Sequence, residues 1–132
     1  MDAFDYDALI YAAVPGHPLG RRVAHLIPTG VGSLLLLIEV LSKPMRDGAT
    51  DEVRRLAALL AALDLRPLDR ATAELAVVLS TAYRLRAADA THLATAVMAG
   101  AERFVTNNRR DFPVTIEEIQ VVYPDDLPDP LA

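Results

Sequence analysis

The sequence contains no cysteine, and only 5% of its residues are aromatic. The lack of cysteine excludes structural disulfides, thiolate metal sites and cysteine nucleophiles, and it suits a reducing compartment. With so few aromatic residues, a core has to be built mainly from leucine, valine and alanine, and the hydrophobic content of 52% supplies them. A chain of 132 residues is long enough to form one domain with a continuous core.

Long hydrophobic runs are also missing. The apolar run from Leu34 to Ile38 ends at Glu39, and no run approaches the roughly 20 residues that a membrane-spanning helix needs. The segment from Met1 to Asp5 lacks the basic start of a signal peptide. We therefore expect a soluble protein of the cytoplasm.

Positive charge is scarce and almost all of one kind. The formal net charge is −5, and of the 13 basic side chains only Lys43 is a lysine. This balance argues against a general electrostatic attraction for nucleic acid. Arginine binds phosphate and carboxylate groups through two parallel hydrogen bonds, which lysine cannot form. The charge alone, however, does not identify a partner.

Short apolar runs alternate with helical segments along the chain. The pattern predicts strands at 3–5, 31–34, 65–68, 104–106 and 119–123, helices at 7–13, 21–27, 35–41, 50–63, 69–85 and 88–100, and a loop at 44–49. Such alternation implies right-handed crossovers and a mainly parallel sheet covered by helices on both faces. We expect a single α/β domain over residues 1–123, followed by an unpacked tail, rich in proline and aspartate, at 124–132.

Acidic residues from four separate segments are predicted to lie near one edge of this sheet. In parallel sheets ligands bind at the carboxyl ends of the strands, and the acids expected there or nearby are Asp5, Asp7, Glu39, Asp89 and Asp111. Carboxylates placed side by side repel one another, so a cluster of them requires a divalent cation. Oxygen ligands alone select Mg²⁺ or Mn²⁺ over Zn²⁺. A metal held in this way activates water and stabilises a phosphoryl transition state, which is the chemistry of phosphodiester hydrolysis.

Each acid also has an ordinary structural interpretation. Asp7 could cap a helix, and Asp89 could stabilise the first turn of another. Glu39 could pair with an arginine, and Asp111 could close a turn before Pro113. Taken singly these roles are the commoner ones. The coincidence of four acids is what favours a metal site.

The stretch from Phe4 to Tyr11 resembles the opening of PIN-domain ribonucleases, in which an aspartate closes the first strand and a small polar or acidic residue follows two places later. Residues 36–41 around Glu39 are similar to the second acidic motif of that family, and residues 88–96 around Asp89 to its third. Residues 104–112 resemble its last motif. The order and spacing agree over essentially the whole chain, and the length suits the VapC-type toxins of toxin–antitoxin pairs.

The resemblance implies a three-layer α/β/α sandwich with Mg²⁺- or Mn²⁺-dependent endoribonuclease activity, frequent homodimers, and inhibition by a small antitoxin that inserts into the site. The residues that it assigns to catalysis and to one or two metal ions are Asp5, Glu39, Asp89 and Asp111. Many members carry an aspartate directly after the Thr-Asn pair, where this chain has Asn108. Others carry it a few residues later, which Asp111 matches.

The residues between the fourth strand and Asp111 could support such a site, together with Asp7. Thr106 and Asn107 are expected to orient the acids through hydrogen bonds, although a plain turn explains Asn107 and Asn108 equally well. Arg109 and Arg110 could hold RNA phosphates, or they could be solvated loop charges.

The chain has three histidines. His92 lies one helical turn from Asp89 and could act as a general base, but we expect it to pack near the helix face, because a metal ion already activates the water. His17 and His25 have no predicted partner.

Two other functions stay open. The pair Asp5 and Asp7 also resembles the opening of aspartyl-phosphate phosphatases, but that class needs a threonine or valine shortly afterwards and a lysine near the phosphate. Position 9 is Leu9, and Lys43 is the only lysine. Alternatively, a PIN-like fold with a degraded site could serve as a binding or dimerisation module, which Asn108 in place of an acid allows.

Overall fold

A computed structural model describes residues 1–131; Ala132, the last residue of the predicted tail, lies outside the described residues. Five short strands form one sheet: β1 (Asp2–Phe4), β2 (Val31–Ser33), β3 (Asp64–Arg66), β4 (Arg103–Val105) and β5 (Gln120–Val122). Their order is β3-β2-β1-β4-β5, and every neighbouring pair is parallel. The predicted α/β class with a mainly parallel sheet is confirmed.

Helices cover both faces of the sheet. They are α1 (Tyr6–Ala12), α2 (Pro18–Ala24), α3 (Leu35–Arg46), α4 (Thr50–Ala62), α5 (Arg70–Tyr83) and α6 (Ala87–Met98). Successive strand residues point to opposite faces, so Ala3 and Phe104 join the core under α5 and α6. Phe4 and Val105 join the core formed with α1 to α4. The three layers agree with the predicted α/β/α sandwich.

The central strand, β1, positions the first acids. It lies between β2 and β4, so Asp5, which directly follows β1, is placed at the middle of the sheet edge. The amide of Asp5 donates to the carbonyl of Val105 at 3.0 Å. Thr106 follows β4 directly, and its amide donates to Val122 at 3.1 Å. The carboxyl ends of β1 and β4 therefore bring Asp5 and Thr106 together, although 100 residues separate them in sequence.

Two predictions about individual segments are wrong. Residues 44–46 are not part of a loop, because α3 continues to Arg46 and includes Pro44. The proline ring removes one helical hydrogen bond, but it is buried against the core and the helix ends two residues later. The tail is not unpacked either. Leu127 is 2% exposed and belongs to the core formed with α1 to α4, and Arg22 donates to the carbonyls of Asp125 and Leu127 at 3.0 and 3.1 Å.

Within residues 1–131, every helix is too short or too polar to cross a membrane.

Candidate active site

Asp5 is a buried acid at the centre of the site. Its side chain caps α1, because Oδ1 accepts from the amide of Tyr6 at 2.8 Å and Oδ2 accepts from the hydroxyl of Thr106 at 2.9 Å. The residue is only 4% exposed. Burial first, and then the charge of Asp7, raise the pKa of Asp5 to about 6, while His92 and the hydrogen bonds act in the opposite direction. Ionising Asp5 is therefore costly in the folded protein.

Asp7 is tied to the loop that follows β4. Its Oδ1 accepts from the amide of Asn107 at 3.0 Å and from the hydroxyl of Thr106 at 3.3 Å. Thr106 is fully buried, and its hydroxyl also accepts from the amide of Asn108 at 3.0 Å. One threonine hydroxyl thus joins both acids at the end of β1 to the loop after β4.

Glu39 pairs with His92 rather than with an arginine. Nε2 of His92 contacts Oε1 of Glu39. The histidine side chain is 1% exposed and that of the glutamate 29% exposed. Nδ1 of His92 is buried and has no hydrogen-bond partner within residues 1–131. The histidine was expected to pack near the helix face, and its contact with Glu39 was not predicted.

Asp89 lies in the first turn of α6 but does not cap it, because the capping position is Arg86. Burial first, and then the charge of Asp111, raise the pKa of Asp89; Glu39 raises it further, whereas His92 and Arg86 lower it. Two other predicted site acids, Asp111 and Glu39, are thus among the charges that raise the pKa of Asp89. The helix that was expected to begin at residue 88 begins at Ala87.

Asn108 and Asp111 lie side by side. Nδ2 of Asn108 donates to Oδ2 of Asp111 at 2.9 Å, and the amide of Asp111 donates to Oδ1 of Asn108 at 3.2 Å. This reciprocal pair closes the turn after β4, so the turn interpretation of Asp111 is correct as local structure. Asn108 and Asp111, the two residues that could complete the acidic site, are therefore in direct contact with each other.

The donor chemistry of the site fits a hard divalent cation. All the acids offer oxygen atoms, and within the described chain no lysine or arginine forms an ion pair with Asp5, Asp7, Asp89 or Asp111. Over residues 1–131, no three acidic or histidine side chains are placed so that they could hold one metal ion together. Glu39 is engaged by His92, and Asp111 by Asn108, so these acids contact their own partners rather than a common point.

The family of this chain is shown by comparison of its sequence with family models. The PIN domain family model matches residues 4–116. This chain is a PIN domain. PIN domains are in general nucleases that use divalent metal ions.

Two solved structures are similar to this PIN domain. A toxin–antitoxin complex from Klebsiella pneumoniae is 25% identical, with a TM-score of 0.74 over 94% of this chain and 98% of the other. A structure of FitAB bound to an IR36 DNA fragment is 17% identical, with a TM-score of 0.69 over 94% of this chain and 95% of the other, and it shows the shared fold alone. No curated protein matches the sequence.

The two arginines of the PIN domain's last motif differ in their surroundings. Arg110 is exposed. The guanidinium of Arg109 lies 4.2 Å from the ring centre of Tyr123 and donates to the carboxylate of Asp125. Both Tyr123 and Asp125 come from the end of the chain, and Asp125 belongs to the segment that was expected to be unpacked.

Sequence reasoning also missed two supporting side chains. The hydroxyl of Tyr11 accepts from Nδ2 of Asn107 at 3.0 Å, which anchors the loop after β4 to α1. Nδ1 of His17 accepts from the amides of Leu19 and Gly20 at 3.1 and 3.4 Å and so caps α2. The signal for His17 was available in the sequence, because it directly precedes Pro18, and proline is favoured in the first turn of a helix.

Proposed function

We propose that this PIN domain is a metal-dependent endoribonuclease of the cytoplasm and the toxin of a toxin–antitoxin pair. The observation that carries the proposal is the buried carboxylate of Asp5, which accepts hydrogen bonds but forms no ion pair within residues 1–131. Its pKa is raised to about 6 by burial and by Asp7, and Asp89 shows a shift of the same direction. Acids that are destabilised in the folded protein are typical of a site that gains energy when a cation or substrate binds.

The residues divide into three roles under this proposal. The acids that would bind Mg²⁺ or Mn²⁺ are Asp5, Glu39, Asp89 and Asp111. A bound cation of this kind neutralises the acids, activates water and stabilises the charge of a phosphoryl transition state. Thr106 and Asn107 hold Asp5 and Asp7 through the hydrogen bonds described above, with Asn108 beside Asp111, and His92 holds Glu39. Arg109 and Arg110 bind RNA phosphates.

The experiment is cleavage of a mixed RNA pool by protein purified free of antitoxin, with Mn²⁺ and with EDTA. Asp89→Asn should abolish metal-dependent cleavage, because it removes one of the proposed metal ligands. The fold should stay intact, because the substitution also removes one of several acids that repel each other. The matched control is Asp51→Asn, which removes the same charge from an exposed position on α4 and should cleave at the wild-type rate. Equal cleavage by Asp89→Asn would contradict the proposed site.

The toxin role predicts a cognate antitoxin, and the similar structure from Klebsiella pneumoniae is described as a toxin–antitoxin complex. We expect coexpression with the antitoxin to give a stable complex without RNA cleavage. Recovery of free, fully active nuclease from such coexpression would contradict this role.

The proposal includes a homodimer, which is supported by exposed apolar side chains on α5. Val77 and Val78 are 66% and 60% exposed, and Val77 and Leu68 line an apolar groove of about 310 Å³ between α5 and α6. Exposed apolar surface of this kind favours association. Light scattering should give twice the chain mass, and Val77→Asp should give the monomer mass. A monomeric wild-type protein would contradict the dimer.

A second candidate function is a binding module without activity. It is favoured by the absence, over residues 1–131, of three acids that could hold one metal ion together. Calorimetric titration with Mg²⁺ and Mn²⁺ separates the two candidates. The nuclease should bind the cation with an affinity that falls in Asp89→Asn, whereas the module should bind it equally weakly in both proteins.

A further inference from the structure

Arg109, a predicted RNA contact, already binds an anion within its own chain. Its guanidinium donates to Oδ1 of Asp125 and lies over the ring of Tyr123 at 4.2 Å from the centroid. The Arg109 side chain is 50% exposed and that of Asp125 55% exposed. The pair is therefore in reach of a large ligand in solvent.

The aromatic platform under Arg109 is rigid. Tyr123 is only 7% exposed, and its hydroxyl donates to the carbonyl of Phe112 at 2.8 Å. A guanidinium stacked on a buried aromatic ring keeps its edge free to form two parallel hydrogen bonds to an oxyanion. The stacking thus orients Arg109 before any ligand binds.

The carboxylate of Asp125 is also placed by its surroundings. The short 3-10 turn at Pro124–Asp126 holds it, and Arg22 fixes that turn by donating to the carbonyls of Asp125 and Leu127 at 3.0 and 3.1 Å. The buried Leu127 anchors the turn to the core. The segment that carries Asp125 is therefore packed against the domain, and this packing holds the carboxylate at the edge of the Arg109 guanidinium.

Arg109 belongs to the same loop as the candidate active site. Its amide donates to the carbonyl of Asn107 at 3.2 Å, and the amide of Asn107 donates to Asp7. The backbone of Arg109 is therefore joined through Asn107 to Asp7, and an oxyanion on Arg109 would be held by the loop that contacts this acid. A polymer whose oxyanions are regularly spaced, such as RNA, could occupy both places at once.

We propose that Arg109, stacked on Tyr123, is a subsite for an RNA phosphate next to the scissile one, and that Asp125 occupies this subsite in the free protein. RNA then binds by displacing the carboxylate of Asp125 from Arg109. The displacement is feasible because an exposed ion pair contributes little to stability. This inference rests on the proposed function. It assigns Asp125 a specific effect, which is to weaken the affinity for RNA.

The test measures RNA binding rather than cleavage. The affinity of a short fluorescent single-stranded RNA is followed by anisotropy in EDTA, over a range of salt concentrations. Asp125→Asn should bind RNA about threefold to tenfold more tightly at low salt, because it removes a competing and repelling charge. The slope of log affinity against log salt should become steeper by about 0.7, which corresponds to one more phosphate contact on a single strand.

Asp129→Asn is the matched control. It removes the same charge from the same segment, but Asp129 pairs with Arg21 at 3.3 Å and not with Arg109. Its RNA affinity should stay within about twofold of the wild type, since a single distant charge is largely screened. Urea unfolding of both variants checks that the segment still packs.

The double variant Arg109→Ala with Asp125→Asn decides whether the effect passes through Arg109. Arg109→Ala should weaken RNA binding, and adding Asp125→Asn to it should give no further gain. Equal affinities of Asp125→Asn and Asp129→Asn, or a full gain in the absence of Arg109, would overturn the inference.

These outcomes are separate from those of the proposed function. Wild-type protein that cleaves RNA, with no gain from Asp125→Asn, overturns the subsite alone. If Asp125→Asn binds RNA more tightly but the protein never cleaves it with Mn²⁺, the competition between Asp125 and an RNA phosphate for Arg109 is supported, whereas the nuclease and the place of this phosphate next to a scissile one are overturned.

Discussion

Replacing Asp5 by asparagine should stabilise the protein at neutral pH. Asp5 is 4% exposed, and burial together with Asp7 raises its pKa from the ordinary value of 3.8 to about 6. The ionised carboxylate is thus less favourable in the folded than in the unfolded chain. The difference of about two pH units corresponds to about 3 kcal/mol of lost stability when Asp5 is ionised.

The effect should depend on pH in a defined direction. Because the pKa of Asp5 is higher in the folded state, the folded chain binds more protons than the unfolded chain between about pH 4 and about pH 6. The contribution of Asp5 to the free energy of unfolding is therefore unfavourable above this window and disappears below it. Asparagine has no charge, and its side-chain oxygen can still accept from the amide of Tyr6.

Urea unfolding followed by circular dichroism, in EDTA, measures this contribution. The free energy of unfolding of Asp5→Asn should exceed that of the wild type by up to about 3 kcal/mol near neutral pH and by almost nothing near pH about 4. Asp51→Asn, an exposed acid on α4, should differ from the wild type by less than about 0.5 kcal/mol at both pH values. A variant that is less stable than the wild type at neutral pH, or a difference that does not change with pH, would refute the reasoning.

Three further substitutions test parts of the fold. Thr106→Val removes the buried hydroxyl that joins the acids after β1 to the loop after β4, and it should lower the free energy of unfolding by about 1–3 kcal/mol in urea; unchanged stability would contradict this role. Leu127→Ala should lower the free energy of unfolding by about 2–4 kcal/mol, whereas Leu131→Ala, at a position that is 74% exposed, should leave it almost unchanged. Equal free energies of unfolding for the two variants would mean that the segment around Leu127 does not pack. His17→Ala should cost about 1 kcal/mol in thermal or urea unfolding, because it removes the cap of α2, and no loss would refute the cap.

The order of helices and strands could be predicted because its signals are local. Asp69 precedes α5 and accepts from the amide of Thr72 at 2.8 Å, as a capping residue should. Gly100 follows α6 with a φ of 74°, a conformation that glycine adopts most easily. Such signals lie within a few residues of the helix end that they determine. The bounds of most elements therefore agree with the predicted ones to within a few residues.

The contacts inside the candidate site could not be predicted to the same extent. Parallel topology indicated that Asp5 and the loop after β4 meet, and hydrogen bonds between Thr106 and the acids were expected. The pairing of His92 with Glu39 joins residues 53 positions apart, and it depends on the distance between α3 and α6 in the folded chain. The distance between these two helices cannot be predicted from hydrophobic periodicity or from capping residues.

The packed end of the chain was missed for a similar reason. Its composition of proline and aspartate is typical of an unpacked tail. One apolar residue, Leu127, fills a place in the core, and arginines on α2 satisfy the carbonyls and acids on either side of it. These partners lie about a hundred positions earlier in the sequence.

The position of β1 has a consequence for the order in which the chain folds. This strand is made before the other four strands of the sheet, yet its neighbour β4 begins only at Arg103. A ribosome-bound chain without β4 has an unsatisfied edge in the middle of its future sheet, and contacts of such long sequence separation form slowly. Since Asp5 takes its hydrogen bond from Thr106 only after β4 has docked, this contact cannot form before β4 has been made. Residues 1–102 alone therefore cannot bring Asp5 and Thr106 together.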